Sequence, residues 1–285
     1  MTAKALLREW ELHPQKELGQ NFLADRRVLG QILAAAEINA GDTVLEIGPG
    51  LGTLTQALAE HAQRVVAVEL DRQLVAILQD RLQTFPNVRI ITGDILAFDL
   101  SELLAIEQAY KVVANIPYNI TSAVLRHLLE APRKPQLIVL MVQKEVAQRI
   151  TARPGDMSLL SVSVQFYGQP RLIHRVPAKA FYPVPKVDSA ILRIDPYPQL
   201  LLRAEEIEPF FDVVRAGFGQ RRKQLRNSLA HGLGLPDEGI TEALAQAGVD
   251  GERRAQTLSV DEWVVLYRAL RGVVQRSVST TTTSL

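Results

Sequence analysis

The stretch Thr43-Val44-Leu45-Glu46-Ile47-Gly48-Pro49-Gly50-Leu51-Gly52 decides the fold that this sequence predicts. Its first five residues are mostly apolar or β-branched, which is typical of a buried strand in a parallel sheet. Three glycines follow, and a helix is predicted from Thr53 to His61. A strand, a glycine turn and a helix in this order indicate an α/β fold that binds its ligand at the carboxyl ends of parallel strands.

The spacing of the glycines narrows the class of ligand. Gly48, Gly50 and Gly52 give G-x-G-x-G, whereas dinucleotide-binding folds carry G-x-G-x-x-G, whose third glycine would fall at Thr53. Glycines let a ligand approach the backbone where a side chain would clash. The departure disfavours a pyrophosphate ligand, and with it an NAD-dependent dehydrogenase. It favours an adenosyl ligand that carries an amino acid.

Two carboxylates end the next two predicted strands. The strand from Arg64 ends at Glu69, roughly 20 residues after Gly48, where doubly wound folds place the carboxylate that binds ribose hydroxyls. We therefore predict that Glu69 binds the ribose, with Asp71 as the weaker candidate. Asp94 could accept a hydrogen bond from an adenine amino group. The alternatives are an ordinary charged strand end for Glu69 and a helix cap or turn for Asp94.

The fourth predicted strand ends in Asn115-Ile116-Pro117-Tyr118. The side-chain oxygen of Asn115 and the carbonyl of Ile116 can accept hydrogen bonds from an exocyclic amine, and the Tyr118 ring can stack on the base that carries it. Asn, Pro and Tyr are also common in turns, and this is the alternative interpretation. In its favour, the motif lies at the carboxyl end of a strand, where α/β sheets bind ligands.

Further strands are predicted at Gln136–Val142, Arg171–Val176 and Ser189–Ile194, which complete a Rossmann-like sheet with helices on both faces over residues 1–195. Residues 1–24 are basic and are predicted to be irregular. Two prolines stiffen the loop that begins at Phe181, and we expect this loop to hold the Phe181 ring outward as a second stacking partner for the base.

The pattern after Pro196 predicts helices alone, so residues 196–276 form a small all-α domain. A capping box, Ser259 to Glu262, begins the last of them. Residues 277–285 are polar and are predicted to be disordered. Between Arg215 and Arg226 there are five basic residues and no acid, which indicates RNA contact through Arg221, Arg222, Lys223 and Arg226, with a solvated helix face as the alternative.

Composition excludes several classes of function. The 285 residues include no cysteine, which rules out disulfides and a Cys nucleophile, and the five histidines lack ligand spacing, so we predict no metal. No apolar run reaches the ~18 residues of a membrane span, and the N-terminus is charged too early for a secretory signal. We expect a cytoplasmic protein. With a net charge of +1, any nucleic-acid surface must be local.

Several motifs stand in a fixed order along the chain: Gln20–Leu23, Glu46–Gly52, Glu69–Asp71, Gly93-Asp94, Asn115–Ile120, Phe181–Ser189 and Arg221–Asn227. In this order the chain resembles the ribosomal RNA adenine dimethyltransferases over roughly residues 14–270, and most closely their bacterial small-subunit branch. The resemblance implies S-adenosylmethionine as the cofactor. By motif matching it implies cofactor contacts at Asn21, Leu23, Gly48, Glu69, Asp94 and Asn115, to which the glycine turn adds Gly50.

The resemblance also implies a substrate and a setting. Two methyls are expected on each of two adjacent adenines in the 3′-terminal hairpin of 16S ribosomal RNA, within a pre-30S subunit, by a monomer with no membrane partner. Two other readings remain. One is a 23S ribosomal RNA methyltransferase of the macrolide-resistance type, which the motif Arg221–Asn227 and the helical domain disfavour. The other is a non-catalytic assembly or transcription factor, which the intact acceptor motif at Asn115 disfavours.

Overall fold

The computed structural model describes residues 3–15, 17–104 and 109–282, with side chains as far as residue 272. It divides into two compact units. The first consists of Met1–Gln148 and Gly168–Pro196, and the second of Arg149–Tyr167 and Tyr197–Leu285. The sequence places residues 149–167 with the sheet, whereas the structure groups them with the helices that follow Pro196.

The first unit is built on a mostly parallel sheet. Its strands are β1 (Phe22–Leu23), β2 (Thr43–Ile47), β3 (Arg64–Glu69), β4 (Val88–Thr92), β5 (Lys111–Asn115), β6 (Leu137–Gln143), β7 (Gly168–Val176), β8 (Phe181–Tyr182) and β9 (Ser189–Pro196). Seven of them form one sheet in the order β4-β3-β2-β5-β6-β9-β7, and β1 pairs with β8. Strands β2 to β6 are parallel, and β9 is antiparallel to both β6 and β7. Strand β7 therefore runs in the same direction as β5.

Helices pack on this sheet through their apolar faces. The helices of this part of the chain are α1 (Ala3–Glu9), α2 (Arg26–Ala36), α3 (Thr53–Ala59), α4 (Arg72–Arg81), α5 (Leu100–Leu103), α6 (Thr121–Glu130) and α7 (Lys144–Ile150). Ile32 of α2 and Leu58 of α3 lie in one buried cluster with Val113 and Val139 of the sheet. The predicted α/β fold is confirmed, because alternating strands and amphipathic helices bury their apolar sides against each other.

The N-terminal segment is more ordered than the sequence suggests. Residues 1–24 are predicted to be irregular, but α1 and β1 lie within them. Leu7 packs with Phe22, Leu51 and Leu74 in a second buried cluster, and Trp10 packs against that cluster, so apolar contacts fix α1. Phe22 pairs with Tyr182 and Leu23 with Phe181, which is a long-range contact that no local pattern reveals.

The second unit is helical. It contains α8 (Leu159–Gln165), α9 (Ala204–Phe218), α10 (Leu225–Leu233), α11 (Asp237–Ala247) and α12 (Val260–Thr282). Phe166, just after α8, stacks on Phe210 of α9 with ring centroids 4.9 Å apart. This contact explains why residues 149–167 belong to this unit. The predicted capping box is confirmed: Ser259 N donates to Glu262 Oε2 at 2.8 Å, and Glu262 N donates to Ser259 Oγ at 3.2 Å.

The C-terminal end differs from the prediction of disorder over residues 277–285. Helix α12 continues to Thr282, and residues 283–285 lie outside the described part of the chain. Once the capping box has started a helix, each added residue contributes one more hydrogen bond without a new nucleation cost, so polar residues can extend it. None of the helices within the described residues combines the length and the apolar character that crossing a bilayer requires.

Candidate active site

A cleft opens at the carboxyl ends of β2, β3 and β5. Its empty volume, including the part open to solvent, is about 1070 Å³. All the residues that the sequence assigns to a cofactor line it: Asn21, Leu23, Gly48, Gly50, Glu69, Asp94 and Asn115. The cleft lies where the alternation of strands and helices predicts a ligand, at the carboxyl edge of a parallel sheet.

The glycine turn gives the cleft a floor of exposed backbone. Gly48 and Gly50 have φ angles of +66° and +59°, which L side chains rarely adopt. A Cβ on Gly50 would also lie 3.1 Å from the Phe22 ring. Both positions therefore favour glycine for conformation, and Gly50 does so for space as well.

Glu69 is fixed by backbone donors. It is 6% exposed, Oε2 accepts from Gly50 N at 3.0 Å, and Oε1 accepts from Asp71 N at 2.9 Å. Burial raises its pKa, and these backbone hydrogen bonds oppose the rise. Each oxygen keeps a lone pair, so the carboxylate can also accept from the two hydroxyls of a ribose.

Asp71 and Asp94 have separate positions. Asp71 caps α4 by accepting from Gln73 N, and its Oδ2 accepts from Gln15 and Gln20 at 3.2 and 2.8 Å. It holds the N-terminal segment and is not among the residues that line the cleft. Asp94 accepts from Leu96 N at 2.9 Å, as the alternative interpretation expects, yet it also lines the cleft and keeps an oxygen free.

Glu46 was missed by the sequence analysis. It lies in β2, lines the cleft and is 1% exposed, and its Oε2 has no hydrogen-bond partner among the described residues. Burial raises the pKa of Glu46 to about 8; the Thr55 side chain opposes this rise, and the charge of Glu69 adds to it. An isolated buried carboxylate is costly unless a ligand supplies a donor or a cation. The signal was available, since an acid within an otherwise apolar strand is unusual.

Asn115 is oriented by the N-terminal segment. Its Nδ2 donates to the backbone carbonyl of Asn21 at 3.1 Å. Because only the amide nitrogen can donate to a carbonyl, this bond fixes the orientation of the side chain and leaves Oδ1 as an acceptor. Gly19 lies close to Pro117, where a Cβ would come within 3.2 Å of the proline side chain. The acceptor motif and the N-terminal segment therefore form one packed unit.

Tyr118 is held by a second hydroxyl. Its Oη lies 2.6 Å from Oγ of Ser189, the first residue of β9, and Ser189 is fully buried. Burial raises the pKa of the Tyr118 hydroxyl, and the hydrogen bond with Ser189 opposes the rise. The ring is thus anchored at its far end and partly accessible, as a stacking platform requires.

Phe181 is not placed as predicted. We expected its ring to point outward, but it is 2% exposed and lies in the buried cluster that contains Leu23 and Val176. Pairing of β8 with β1 causes the difference, because it turns alternate side chains inward and leaves Tyr182 as the more exposed ring. The prediction that Phe181 stacks on the base is therefore wrong for this structure, because its ring is buried.

The basic run lies in the second unit. Arg221, Arg222 and Lys223 are exposed in the turn between α9 and α10, and Arg226 is exposed at the start of α10. Helix α10 begins at Leu225, so the first three are not on the helix face that the alternative interpretation expects. Arg215 pairs with Glu208 and Asp212 at 2.6 and 2.7 Å, so acids one and two turns earlier neutralise it.

No group of three or more metal-binding side chains occurs within the described residues. The chemistry of the cleft matches an S-adenosyl ligand, because buried acidic side chains and exposed glycine backbone line it and Glu46 Oε2 has no hydrogen-bond partner among the described residues. Asn115 lines the same cleft. A methyl donor and the amine that receives the methyl group can therefore meet at one edge of the sheet.

Comparisons with known proteins agree with this geometry. The family model "Ribosomal RNA adenine dimethylase" matches residues 12–271. A protein of Dehalococcoides mccartyi named ribosomal RNA small subunit methyltransferase A is 49% identical over 264 residues, which cover 93% of this chain and 91% of that protein. A protein of Moorella thermoacetica with the same name is 46% identical over 277 residues, covering 94% of this chain and 96% of that one.

Solved structures are also similar. The crystal structure of the 23S rRNA methyltransferase ErmE matches with a TM-score of 0.70 and 31% identity, over 88% of this chain and 100% of that one. A dimethyladenosine transferase from Plasmodium falciparum matches with a TM-score of 0.78 and 24% identity, over 88% of this chain and 98% of that one. The second similarity concerns the fold alone.

Proposed function

Because the chain belongs to the ribosomal RNA adenine dimethylase family, we propose that its cleft binds S-adenosylmethionine and that Asn115 presents an adenine amine of 16S ribosomal RNA. The protein is an rRNA adenine dimethyltransferase. Its relatives at 46–49% identity are named small-subunit enzymes, whereas the 23S enzyme matches at 31%. The observation that carries the proposal is the bond from Asn115 Nδ2 to the Asn21 carbonyl, which leaves Oδ1 as an acceptor.

We assign the cofactor contacts as follows. Glu69 binds the ribose hydroxyls, and the free oxygen of Asp94 accepts from the adenine amine of the cofactor. At Gly48 and Gly50 the backbone lies close to the cofactor. Asn21 and Leu23 cover the amino-acid end of the cofactor. Glu46 faces the ammonium of that end, which explains its unpaired oxygen. When bound, S-adenosylmethionine supplies an electrophilic methyl group on a sulfonium.

The acceptor motif activates the amine through hydrogen bonds. The nitrogen of an adenine amine is a poor nucleophile because its lone pair is delocalised into the ring. When Asn115 Oδ1 and the Ile116 carbonyl accept its two N–H groups, a tetrahedral nitrogen is favoured and the lone pair is freed for in-line attack. Pro117 fixes the backbone between these acceptors and the ring of Tyr118. Catalysis then consists mainly of positioning and electrostatics, with no strong base required before attack.

The target adenine leaves its stack to reach this site, because the amine is inaccessible within a helix. Tyr118, anchored by Ser189, supplies the stacking surface. After the first methyl transfer only one N–H remains, so one of the two acceptors is unpaired during the second transfer. The two transfers therefore differ in how firmly the amine is held.

We further propose that the substrate is a pre-30S subunit and that the two adjacent adenines of the 3′-terminal hairpin each receive two methyls. Arg221, Arg222, Lys223 and Arg226 contact phosphates, which fits their exposure in and beside the turn of the second unit. The protein acts as a monomer in the cytoplasm.

The test is to incubate the protein with radiolabelled S-adenosylmethionine and unmethylated small subunits, and to map the labelled nucleotides. Dimethyladenosine in the 3′-terminal hairpin of 16S RNA is the expected product. Label confined to large-subunit RNA would instead identify a resistance-type enzyme. Cofactor binding without any label would contradict the proposal and indicate a binding role.

A further inference from the structure

A second basic surface lies beside the acceptor motif, in the first unit. Strand β7 runs parallel to β5, so the two strands end at the same edge of the sheet. Val176, the last residue of β7, pairs with Ser189, whose hydroxyl holds Tyr118. The end of β7 is therefore connected to the base-stacking ring through a single side-chain contact.

The start of α2 is fixed next to this strand end. Ala24 N donates to the Ala180 carbonyl at 2.8 Å, and Gln31 Nε2 lies 3.1 Å from His174 Nε2. Arg27 precedes Gln31 by one helical turn and shares its face. We define the β7 corner as the five exposed residues at this junction, Arg26, Arg27, His174, Arg175 and Lys179.

The charge of the β7 corner is not neutralised. Within the described residues, no carboxylate lies at ion-pair distance from its arginines or its lysine, whereas Arg193 of the same unit pairs with both Glu37 and Asp195. Two acids lie nearby. Asp25 accepts from Arg27 N as the cap of α2, and Asp188 accepts from Ala178 N. Four cations thus face two carboxylates that are already held by backbone groups.

We propose that the β7 corner binds the phosphates of the RNA strand that flanks the target adenine. The inference rests on the proposed function, because it takes the base to enter beside Tyr118. An extruded nucleotide remains joined to its neighbours, so the adjoining phosphates must lie at this edge of the sheet. Exposed arginine and lysine side chains without acidic partners are suited to contact them. The surface is distinct from the basic run of the second unit.

The experiment compares two double variants that remove the same charge. Arg27→Gln with Lys179→Gln alters the β7 corner. The control, Lys4→Gln with Arg89→Gln, removes one lysine from α1 and one arginine from β4. Strand β4 is the edge strand opposite β7. Binding of each protein to unmethylated small subunits is measured between about 50 and 200 mM salt, together with methyl transfer and cofactor affinity.

The corner variant is expected to bind about 5- to 10-fold more weakly at low salt, and its log–log salt slope should fall by about 1.5, since each lost phosphate contact removes about 0.7–0.9. KM for subunits should rise while kcat at saturation and cofactor affinity match the control. Equal binding and equal slopes for the two variants would overturn the proposal.

A photoreactive amino acid in place of Lys179 identifies the partner directly. A crosslink that ribonuclease removes supports the proposal, whereas a crosslink to a ribosomal protein overturns it and assigns the surface to protein contact. Failure of the underlying function gives a different result, because the unaltered protein would then transfer no methyl to small-subunit RNA.

Discussion

The cofactor side and the target-base side of Asn115 are held in place by different kinds of group. On the cofactor side, backbone groups hold the binding residues: Gly50 N and Asp71 N fix Glu69, and the glycine turn forms the floor. On the target side, a side chain holds a side chain, since Ser189 anchors Tyr118. A rigid cleft suits a ligand that is the same in every turnover. A single anchored ring suits a base that must enter, gain one methyl, turn and gain another.

The largest expected effect comes from Asn115, where the two sides meet. Asn115→Ala removes the Oδ1 acceptor and should lower methyl transfer by about 10²–10³-fold, because preorganised hydrogen bonds of this kind act in the transition state. Cofactor affinity, measured by calorimetry, should change only a few-fold. Asn115→Asp keeps an acceptor oxygen but loses the donor to the Asn21 carbonyl. Its rate of methyl transfer should lie between those of the unaltered protein and Asn115→Ala. Near-normal turnover by Asn115→Ala would contradict the role.

Glu69 tests the cofactor side alone. Glu69→Gln replaces one acceptor oxygen by a donor that faces the backbone donors or the ribose, and cofactor affinity should fall about 10- to 100-fold. Turnover at saturating cofactor should stay within a few-fold. Glu60→Gln, at the exposed end of α3, is the matched control. If cofactor affinity is unchanged, the ribose assignment is wrong.

Burial of Glu46 makes the stability of the free protein depend on pH. Its pKa is about 8 in the folded protein against an ordinary 4.5, so the folded state holds a proton that the unfolded chain releases between these values. Stability should therefore decline as pH rises through this window. Glu46→Gln should stabilise the free protein by about 4 kcal/mol at pH 8, with no gain near pH 4. Denaturant unfolding at both pH values measures this, and an equal effect at both would refute the buried-proton account.

The smallest effect is expected on the target side. Tyr118→Phe and Ser189→Ala remove the same hydrogen bond, which contributes about 0.5–1.5 kcal/mol, so each should lower transfer about 3- to 10-fold. The double variant should be no worse than either single one, and cofactor affinity should be unaffected. Multiplicative losses would show that the two hydroxyls act separately.

Local pattern predicted the parts of the site that local sequence determines. Strand β3 occurs at the predicted residues, and Glu69 could be placed because strand ends and spacing are local properties. Phe181 was misplaced because the pairing of β8 with β1 joins residues far apart in sequence, and this pairing sets which ring faces inward. Arg215 was included in the basic run, but the acids that pair with it precede that run in the sequence. Glu46 was missed because it lies within the buried strand β2, whose local pattern predicts packing and no ligand contact.

The bond between Asn21 and Asn115 has a consequence for the newborn chain. Its partners are 94 residues apart in the sequence, and β1 is separated from β8 by a still longer stretch of chain. At roughly 5–20 residues per second, the first partner is made several seconds before the second leaves the ribosome. Asn21 is therefore without its partner until Asn115 has been made, and the strand that carries the Asn21 segment is unpaired until β8 has been synthesised. An enzyme that modifies ribosomes thus becomes competent only after the ribosome making it has nearly finished the catalytic unit.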